Sequence, residues 1–269
     1  MSTIFTWDAA DIEALLRTCD SDPVTGRLRL HVPAGARVLE SGCGLSRFVR
    51  YLTDRGTPTV GLEWSGEALR QARAVWPDLS LVQGDSARAP FPDASFDALL
   101  SLGLVEHWSE GPAAPLRDHL RVLKPGGVAI ITVPLHNLVR RVKRALWFDE
   151  IVHLPRAAAR GLLRGRSMSP GRARPGRFAA YPAYGEFYEY RLTAAEFLAE
   201  VRGAGFEVLE HAAIGSMDGI YHELNPLGLL VRFRGWRFEP TPLARWLESR
   251  LARRPFDACH QQLVVARRP

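Results

Sequence analysis

Short runs of β-forming residues alternate with amphipathic segments over residues 37–134, and this alternation constrains the fold more than any other feature. Apolar residues in the amphipathic segments recur at helical spacing, as Phe48, Val49 and Leu52 do. Such alternation is typical of a mostly parallel sheet, because each helix returns the chain to begin the next strand in the same direction. We predict strands at 37–41, 59–63, 79–83, 96–101 and 128–133, with helices at 46–55, 65–75 and 112–123.

Regular structure is also predicted on either side of this unit. Thr193, with Glu196 three residues later, is typical of a capped helix start, and Gly205 is typical of a helix end. The additional predictions are helices at 8–18, 193–204 and 242–251, strands at 206–211 and 261–266, a linker at 20–26, and basic amphipathic helices at 138–147 and 156–163.

A turn with two glycines joins the first strand to the first helix of the unit. Gly42 and Gly44 allow a ligand to approach the backbone closely, and amides at a helix N-terminus attract a carboxylate or a phosphate. The third glycine of dinucleotide-binding loops is absent, because Arg47 stands at its position. The turn therefore predicts an anion or nucleotide site and disfavours a nicotinamide cofactor.

Polar residues follow the next two strands. Glu63 ends the second strand, where a carboxylate can accept both hydroxyls of a ribose, and Asp85 and Ser86 follow the third. The carboxyl ends of parallel strands meet at one edge of a sheet, so we expect these groups to lie beside the glycine turn.

These motifs, in this order, resemble those of the class I S-adenosylmethionine-dependent methyltransferases, in particular the small-molecule branch that includes ubiquinone- and menaquinone-biosynthesis enzymes. The resemblance implies an α/β fold with a Rossmann-like, seven-stranded, mostly parallel sheet, flanking helices, an antiparallel last strand and α-helical insertions after strands five and six. Glu40 stands where the family more often has Asp, and Ser46 stands where a third glycine is usual, so we expect Ser46 to cap the following helix. The runs that carry the resemblance are 38–44, 60–65, 83–86, 91–97, 104–107 and 121–127.

The resemblance also implies S-adenosylmethionine as the cofactor. Glu40 and the loop amides would hold its methionine moiety, and Glu63 its ribose. Trp64 would face the adenine, although it could instead pack against Leu62, and Asp85 would read the adenine amine or only cap a helix. The residues implied in cofactor binding are Glu40, Gly42, Gly44, Glu63, Trp64, Asp85, Ser86, Leu102 and Gly103.

Methyl transfer from a sulfonium is an in-line displacement that needs no metal, and we predict none. A base is useful when the acceptor is a hydroxyl, and His107 is the best candidate because histidine titrates near neutral pH. Glu106 is the second candidate, and a structural role is the alternative for both. Tyr184 and Tyr188, in an aromatic-rich stretch, are predicted to bind the acceptor, as is His136. The stretch indicates a partly hydrophobic acceptor, and the alternative is that its aromatic residues anchor the insertion to the core.

Positive charge is concentrated in one stretch of the chain. Eleven basic and two acidic residues lie between 139 and 178, which gives this stretch +9 in a chain of net charge +6. The excess indicates an anionic acceptor, a peripheral membrane contact through the basic insertion, or simply a solvated insertion. A nucleic-acid substrate is the rival that we disfavour, because strand four is not followed by the Asn/Asp-Pro-Pro-aromatic run of base-amino methyltransferases. A non-catalytic binding protein on the same fold is the other alternative.

We interpret the chain as a single methyltransferase domain, 1–269, located in the cytoplasm. No apolar stretch reaches the ~20 residues of a membrane span. Cys19, Cys43 and Cys259 lack the spacing of a disulfide framework or a zinc site. The predicted parts are an N-terminal cap segment (1–36), a cofactor-binding core (37–134), a basic insertion or lid (135–192) and the C-terminal part of the sheet (193–269), which contains a second insertion at 218–254.

Overall fold

The computed structural model describes the central sheet and most of the elements around it. The described residues are 12–145, 178–181, 187–190, 192–225, 228–234 and 237–269. The predicted helix at 156–163 lies outside them. Among the helices that are described, none is both long and apolar enough to cross a bilayer.

Seven strands form the sheet in the order β3-β2-β1-β4-β5-β11-β8. Neighbours from β3 to β5 run parallel, and β11 is antiparallel to both of its neighbours. The predicted Rossmann-like sheet with an antiparallel last strand is therefore confirmed. The strands are β1 (Val38–Ser41), β2 (Thr59–Glu63), β3 (Ser80–Gln83), β4 (Phe96–Leu102), β5 (Leu123–Pro134), β8 (Glu207–Ile214) and β11 (Gln261–Arg267).

Helices cover both faces of this sheet. Three of them begin at side-chain caps, where Ser65, Thr193 and Thr241 each accept a hydrogen bond from an amide three residues later. The helices are α1 (Ile12–Thr18), α2 (Pro23–His31), α3 (Arg47–Thr53), α4 (Gly66–Val75), α5 (Ala113–Val122), α6 (Leu138–Ala145), α7 (Ala194–Gly203), α8 (Ser216–Gly219), α9 (Pro242–Leu251) and α10 (Pro255–Ala258). A 3-10 turn (Val105–His107) follows β4, and a π-helical turn (Ile220–Leu224) follows α8.

Helix α2 corrects the predicted linker at 20–26. Asp22 accepts a hydrogen bond from the amide of Val24 at 3.0 Å, and Pro23 occupies the first helical position. Both features favour a helix start, since the carboxylate satisfies a free amide and proline has none to satisfy. The Asp-Pro pair was therefore the local signal for this helix.

Both insertions contain a β-ribbon that was not predicted. One ribbon pairs β6 (Phe178–Tyr181) with β7 (Phe187–Tyr190), and the other pairs β9 (Val231–Arg234) with β10 (Arg237–Pro240). In β9, apolar and basic residues alternate with the period of a strand, which is why this segment is not helical. The insertions thus contain these ribbons in addition to the predicted helices α6 and α9.

The core lies on both faces of the sheet. Leu39 and Leu99 pack on one face against Phe197 of α7, and Val38 packs on the other against Phe48 of α3. Successive residues of a strand point to opposite faces, so both faces of β1 and β4 are buried. This burial fixes the register that brings the strand ends level with one another.

Candidate functional site

The candidate site lies where the sheet order reverses. Strands β2 and β3 follow on one side of β1, and β4 and β5 follow on its other side. Open α/β sheets bind ligands in the crevice at the point where the strand order reverses in this way. Ser41, the last residue of β1, pairs with Leu62 of β2 and with Ser101 of β4. The carboxyl ends of these strands therefore share one edge, as predicted.

The glycine turn is held closely against its neighbours. The amides of Gly42 and Cys43 both donate to the carbonyl of Leu62, at 2.7 and 3.0 Å. A Cβ on Gly42, whose φ is +74°, would lie 2.6 Å from Cδ1 of Leu104. Two amides of the turn, those of Gly42 and Cys43, thus already have protein partners. The turn therefore contributes the close approach of its backbone to neighbouring residues more than these two hydrogen-bond donors.

Ser46 does not cap α3, which corrects the prediction. Its backbone is left-handed, with φ at +63°, and its hydroxyl lies 3.4 Å from Cys43 Sγ instead of accepting from a helix amide. Capping side chains require an extended backbone, so this conformation directs the hydroxyl elsewhere. It is also the conformation that glycine adopts most easily, which accounts for the glycine usual at this position.

Glu40 provides the cap that Ser46 does not. Its Oε2 accepts a hydrogen bond from the amide of Val49, the third residue of α3, at 3.0 Å. The side chain is buried, and this burial raises the pKa of the carboxyl to about 8, against the opposing effect of Arg47. A cation bound nearby would favour the ionised form.

Glu63 joins two loops at the end of β2. Its Oε2 accepts from the amide of Gly44 and its Oε1 from the amide of Ser65, both at 2.9 Å. Each carboxylate oxygen has a further lone pair, so these bonds leave capacity to accept from a ribose hydroxyl. The predicted ribose contact stays a prediction.

The adenine-side residues are close to the same edge. Trp64 follows Glu63 and is 51% exposed, which leaves ring surface available to a ligand. Asp85 Oδ1 accepts from the amide of Ala87 at 2.8 Å within a turn, where no helix begins, so the alternative that Asp85 caps a helix was wrong; Ser86 is buried. Adenine recognition by these residues stays a prediction.

The residues after β4 form a buried acidic turn. Gly103 has φ at +64°, and its amide donates to Thr132 of β5, which fixes the chain beyond Leu102. Glu106 is 1% exposed, and its Oε1 lies 3.9 Å from Nε2 of His107. Burial raises the pKa of Glu106 to about 7, opposed by the nearby His107.

The predicted acceptor residues are only partly described. His136 is half-buried just beyond β5, and its amide donates to the carbonyl of Leu192 at 2.9 Å. Tyr184 lies outside the described residues. Tyr188 belongs to β7, which lies against the turn that carries Glu106 and His107.

A polar cluster that the sequence analysis missed joins the two insertions. Arg140 and Lys143 of α6 both pair with Glu223 of the π-helical turn, and Arg140 also contacts His260 Nδ1 at 2.7 Å. His222 stacks on His260 with ring centroids 4.3 Å apart. Burial lowers the pKa of His260 to about 2. Two charges of the basic insertion are thus balanced by one distant carboxylate.

Comparisons with known proteins agree with this geometry. The model of a methyltransferase domain family matches residues 39–131. An uncharacterized methyltransferase of Synechocystis sp. is 32% identical over 149 residues, which cover 51% of this chain and 70% of that protein. This chain is a class I S-adenosylmethionine-dependent methyltransferase by family.

Other members of the methyltransferase family show how far the likeness extends. A demethylmenaquinone methyltransferase of Beutenbergia cavernae is 37% identical over 99 residues, 36% of this chain and 40% of that protein. The crystal structure of an S-adenosylmethionine-dependent methyltransferase from Mesorhizobium loti has a TM-score of 0.56 and 20% identity, covering 93% of this chain and 100% of that one. The matches span 40% to 54% of the length of the first curated relatives.

S-adenosylmethionine is the cofactor of this family, and the residues at the sheet edge suit it. Buried Glu40 gains from a nearby cation, and the cofactor carries both an ammonium and a sulfonium. Glu63 retains capacity to accept hydrogen bonds from hydroxyl donors. The donor set is therefore of the right chemistry.

Proposed function

We propose that this methyltransferase transfers the methyl group of S-adenosylmethionine to a small-molecule acceptor. The observation that carries the proposal is the placement of Glu40 in β1, Glu63 at the end of β2 and Glu106 in the turn after β4, on the strands beside the point where the sheet order reverses. Family membership supports the same activity.

In this proposal the protein acts mainly by alignment. The bound cofactor supplies an electrophilic methyl carbon whose leaving group becomes neutral on departure. Glu40 balances the positive charge of the methionine moiety, Glu63 fixes the ribose, and Asp85 with Ser86 orients the adenine. Correct positioning of two reactants can contribute up to ~7 to 11 kcal/mol, which suffices for a reaction that needs no metal.

The acceptor is proposed to be partly hydrophobic. The name of one relative refers to demethylmenaquinone, a molecule with an apolar ring system, and the ring of Tyr190 lies beside Gly111 near the acidic turn. His136 and Tyr188 are retained as acceptor-binding candidates, and His107 and Glu106 as bases. Pairing of Arg140 and Lys143 with Glu223 weakens the case for a strongly anionic acceptor and for nucleic acid.

A peripheral membrane contact is a second proposal, for a protein that acts in the cytoplasm. Leu138 and Val142 of α6 are 46% and 47% exposed, and Leu243 and Trp246 of α9 are 55% and 53% exposed. Exposed apolar side chains beside arginines suit an anionic bilayer surface. Sedimentation with anionic but not zwitterionic vesicles, lost in high salt, is expected; equal sedimentation with both would contradict it.

The test of the proposed function is calorimetric titration with S-adenosylmethionine and S-adenosylhomocysteine. We expect both to bind the wild type and Glu63→Ala to weaken binding at least about tenfold, because one lost charge-assisted hydrogen bond costs about 1.5 to 3 kcal/mol. Glu67→Gln is the matched control, since Glu67 lies in the next helix and pairs with Arg70 and Gln71 of that same helix. Unchanged affinity in Glu63→Ala would contradict the assignment.

A further inference from the structure

Glu106 has an oxygen for which the described part of the chain provides no hydrogen-bond partner. Its Oε2 is buried, and no hydrogen-bond donor reaches it among the residues that the structure describes. Buried carboxylate oxygens are nearly always hydrogen-bonded, because an unsatisfied one loses its hydration without compensation. An orphaned oxygen beside a ligand crevice therefore indicates a donor that arrives with the ligand.

The position of Glu106 identifies which part of the site it serves. Its Oε1 lies 3.6 Å from where a Cβ on Gly103 would be, so the carboxyl group is directly beside the backbone that follows β4. A Cβ there would make only ordinary van der Waals contact with the carboxyl group, and it is the φ of +64° that favours glycine at this position. In the proposed arrangement, Gly103 lines the methyl-bearing end of the cofactor.

The charged groups around Glu106 come from two elements. His107, on the same turn, lies 3.9 Å from Oε1 and favours the ionised carboxylate, whereas Glu189 of β7 disfavours it. These opposing neighbours leave burial as the dominant influence, so the carboxyl group is poised to gain or lose a proton close to neutral pH.

We propose that Glu106 faces the sulfonium of bound S-adenosylmethionine and takes the proton of an acceptor hydroxyl, so that the acceptor is a neutral hydroxyl compound and not a carboxylate. This inference rests on the proposed function. A hydroxyl supplies the donor that Oε2 lacks, whereas an acceptor carboxylate would place a second anion beside Glu106 and Glu189.

The proposed step is balanced within the site. Glu106 Oε2 accepts the hydroxyl proton while the acceptor oxygen bonds to the methyl carbon and the carbon–sulfur bond breaks, with its electron pair passing to sulfur. The carboxylate and the sulfonium are both neutralised, and the products are a methyl ether, S-adenosylhomocysteine and a neutral Glu106. No other reactant is required.

Proton release on cofactor binding tests this arrangement without any acceptor. A sulfonium next to Glu106 lowers its pKa, so S-adenosylmethionine should release protons near pH 7 that uncharged-sulfur S-adenosylhomocysteine does not, up to about one per site. Calorimetry in two buffers of different ionisation enthalpy, at pH 6, 7 and 8, measures the difference in proton release between the two ligands. Both ligands carry the same ammonium and carboxylate, and the comparison with Glu106→Gln separates the effect of the sulfonium on Glu106 from its effect on Glu40.

We expect the two ligands to release different numbers of protons from the wild type and from the control Glu110→Gln, whose exposed carboxyl lies on the same loop. From Glu106→Gln they should release equal numbers. Equal proton release by the two ligands in the wild type would overturn the inference while leaving the proposed function intact. Absence of binding by both ligands would overturn both. To test the acceptor class, we expect more transfer of methyl label to 1-naphthol than to 1-naphthoate. The reverse order would contradict a neutral hydroxyl acceptor.

Discussion

Glu40 accepts a hydrogen bond from the amide of Val49, so a carboxyl group at the end of strand β1 caps helix α3. The helix therefore begins on a carboxyl group of the central sheet and not on its own N-terminal serine. In the proposed function, cofactor binding and the start of α3 would be coupled through this one side chain, because both would use the same carboxyl group.

Stability should fall as pH rises from about 4.5 to 8. The folded-state pKa of Glu40, about 8, lies above its unfolded value of 4.5, so the folded protein holds a proton that the unfolded chain has lost. The resulting stabilisation is complete below pH 4.5 and is lost as pH rises through 8, at up to ~1.4 kcal/mol per pH unit. Urea unfolding of the ligand-free protein at several pH values measures this trend. Glu40→Gln should reduce the slope, most clearly between pH 7 and 8, above the raised pKa of Glu106, and Glu67→Gln should not; an unchanged slope in Glu40→Gln would contradict the prediction.

Gly42→Ala should be costlier than Gly35→Ala. The two glycines have nearly the same φ, +74° and +75°, but only Gly42 has a close neighbour, Leu104. Gly35→Ala therefore measures the backbone penalty of about 1 to 2 kcal/mol, and Gly42→Ala adds roughly 1 to 3 kcal/mol of overpacking. Denaturant unfolding gives both values. Adding Leu104→Ala should recover part of the excess, and equal costs for the two glycines would refute the steric explanation.

Ser46→Gly should leave stability unchanged or raise it by up to about 1 kcal/mol. Glycine stabilises the folded state by relieving the strain of the left-handed backbone at position 46, where φ is +63°. The greater flexibility of the unfolded chain partly offsets this gain in stability. Ser46→Ala keeps the strain and loses the contact with Cys43, so it should be less stable than the wild type. Thermal unfolding of the three proteins tests this order, which a more stable Ser46→Ala would reverse.

Glu223→Gln should destabilise the protein by about 3 to 5 kcal/mol, because it leaves Arg140 and Lys143 without the buried carboxylate that balances them. Glu207→Gln removes an exposed pair with Arg267 and should cost less than about 1 kcal/mol. Denaturant unfolding gives the totals. Hydrogen exchange should show faster opening of α6 in Glu223→Gln only. Equal protection in both variants would contradict the interpretation that Glu223 holds the two insertions together.

Local patterns were sufficient to predict the sheet and the positions of the site motifs. The alternation of β-forming runs with amphipathic segments placed each of the seven strands within a few residues. The strands were recognisable because both of their faces are buried, so that they appear in the sequence as short apolar runs. Glu63 and Glu40 were placed at strand ends for the same reason. The ribbon at β9 and the helix α2 were missed although each had a short signal, the alternation of Val231–Arg234 and the Asp22-Pro23 pair.

The sequence alone determined the fold, the family and the edge of the sheet that carries the site, because these depend on periodicities and motifs a few residues long. Only the tertiary structure decided that Glu40 and not Ser46 caps α3, and that Glu223 pairs with Arg140 across 83 positions. It also decided that one oxygen of Glu106 has no hydrogen-bond partner among the residues whose positions are described. These relationships join residues distant in sequence or depend on what packing excludes. No local pattern encodes them, since a side chain's partner is set by the close packing of elements that meet only in the folded chain.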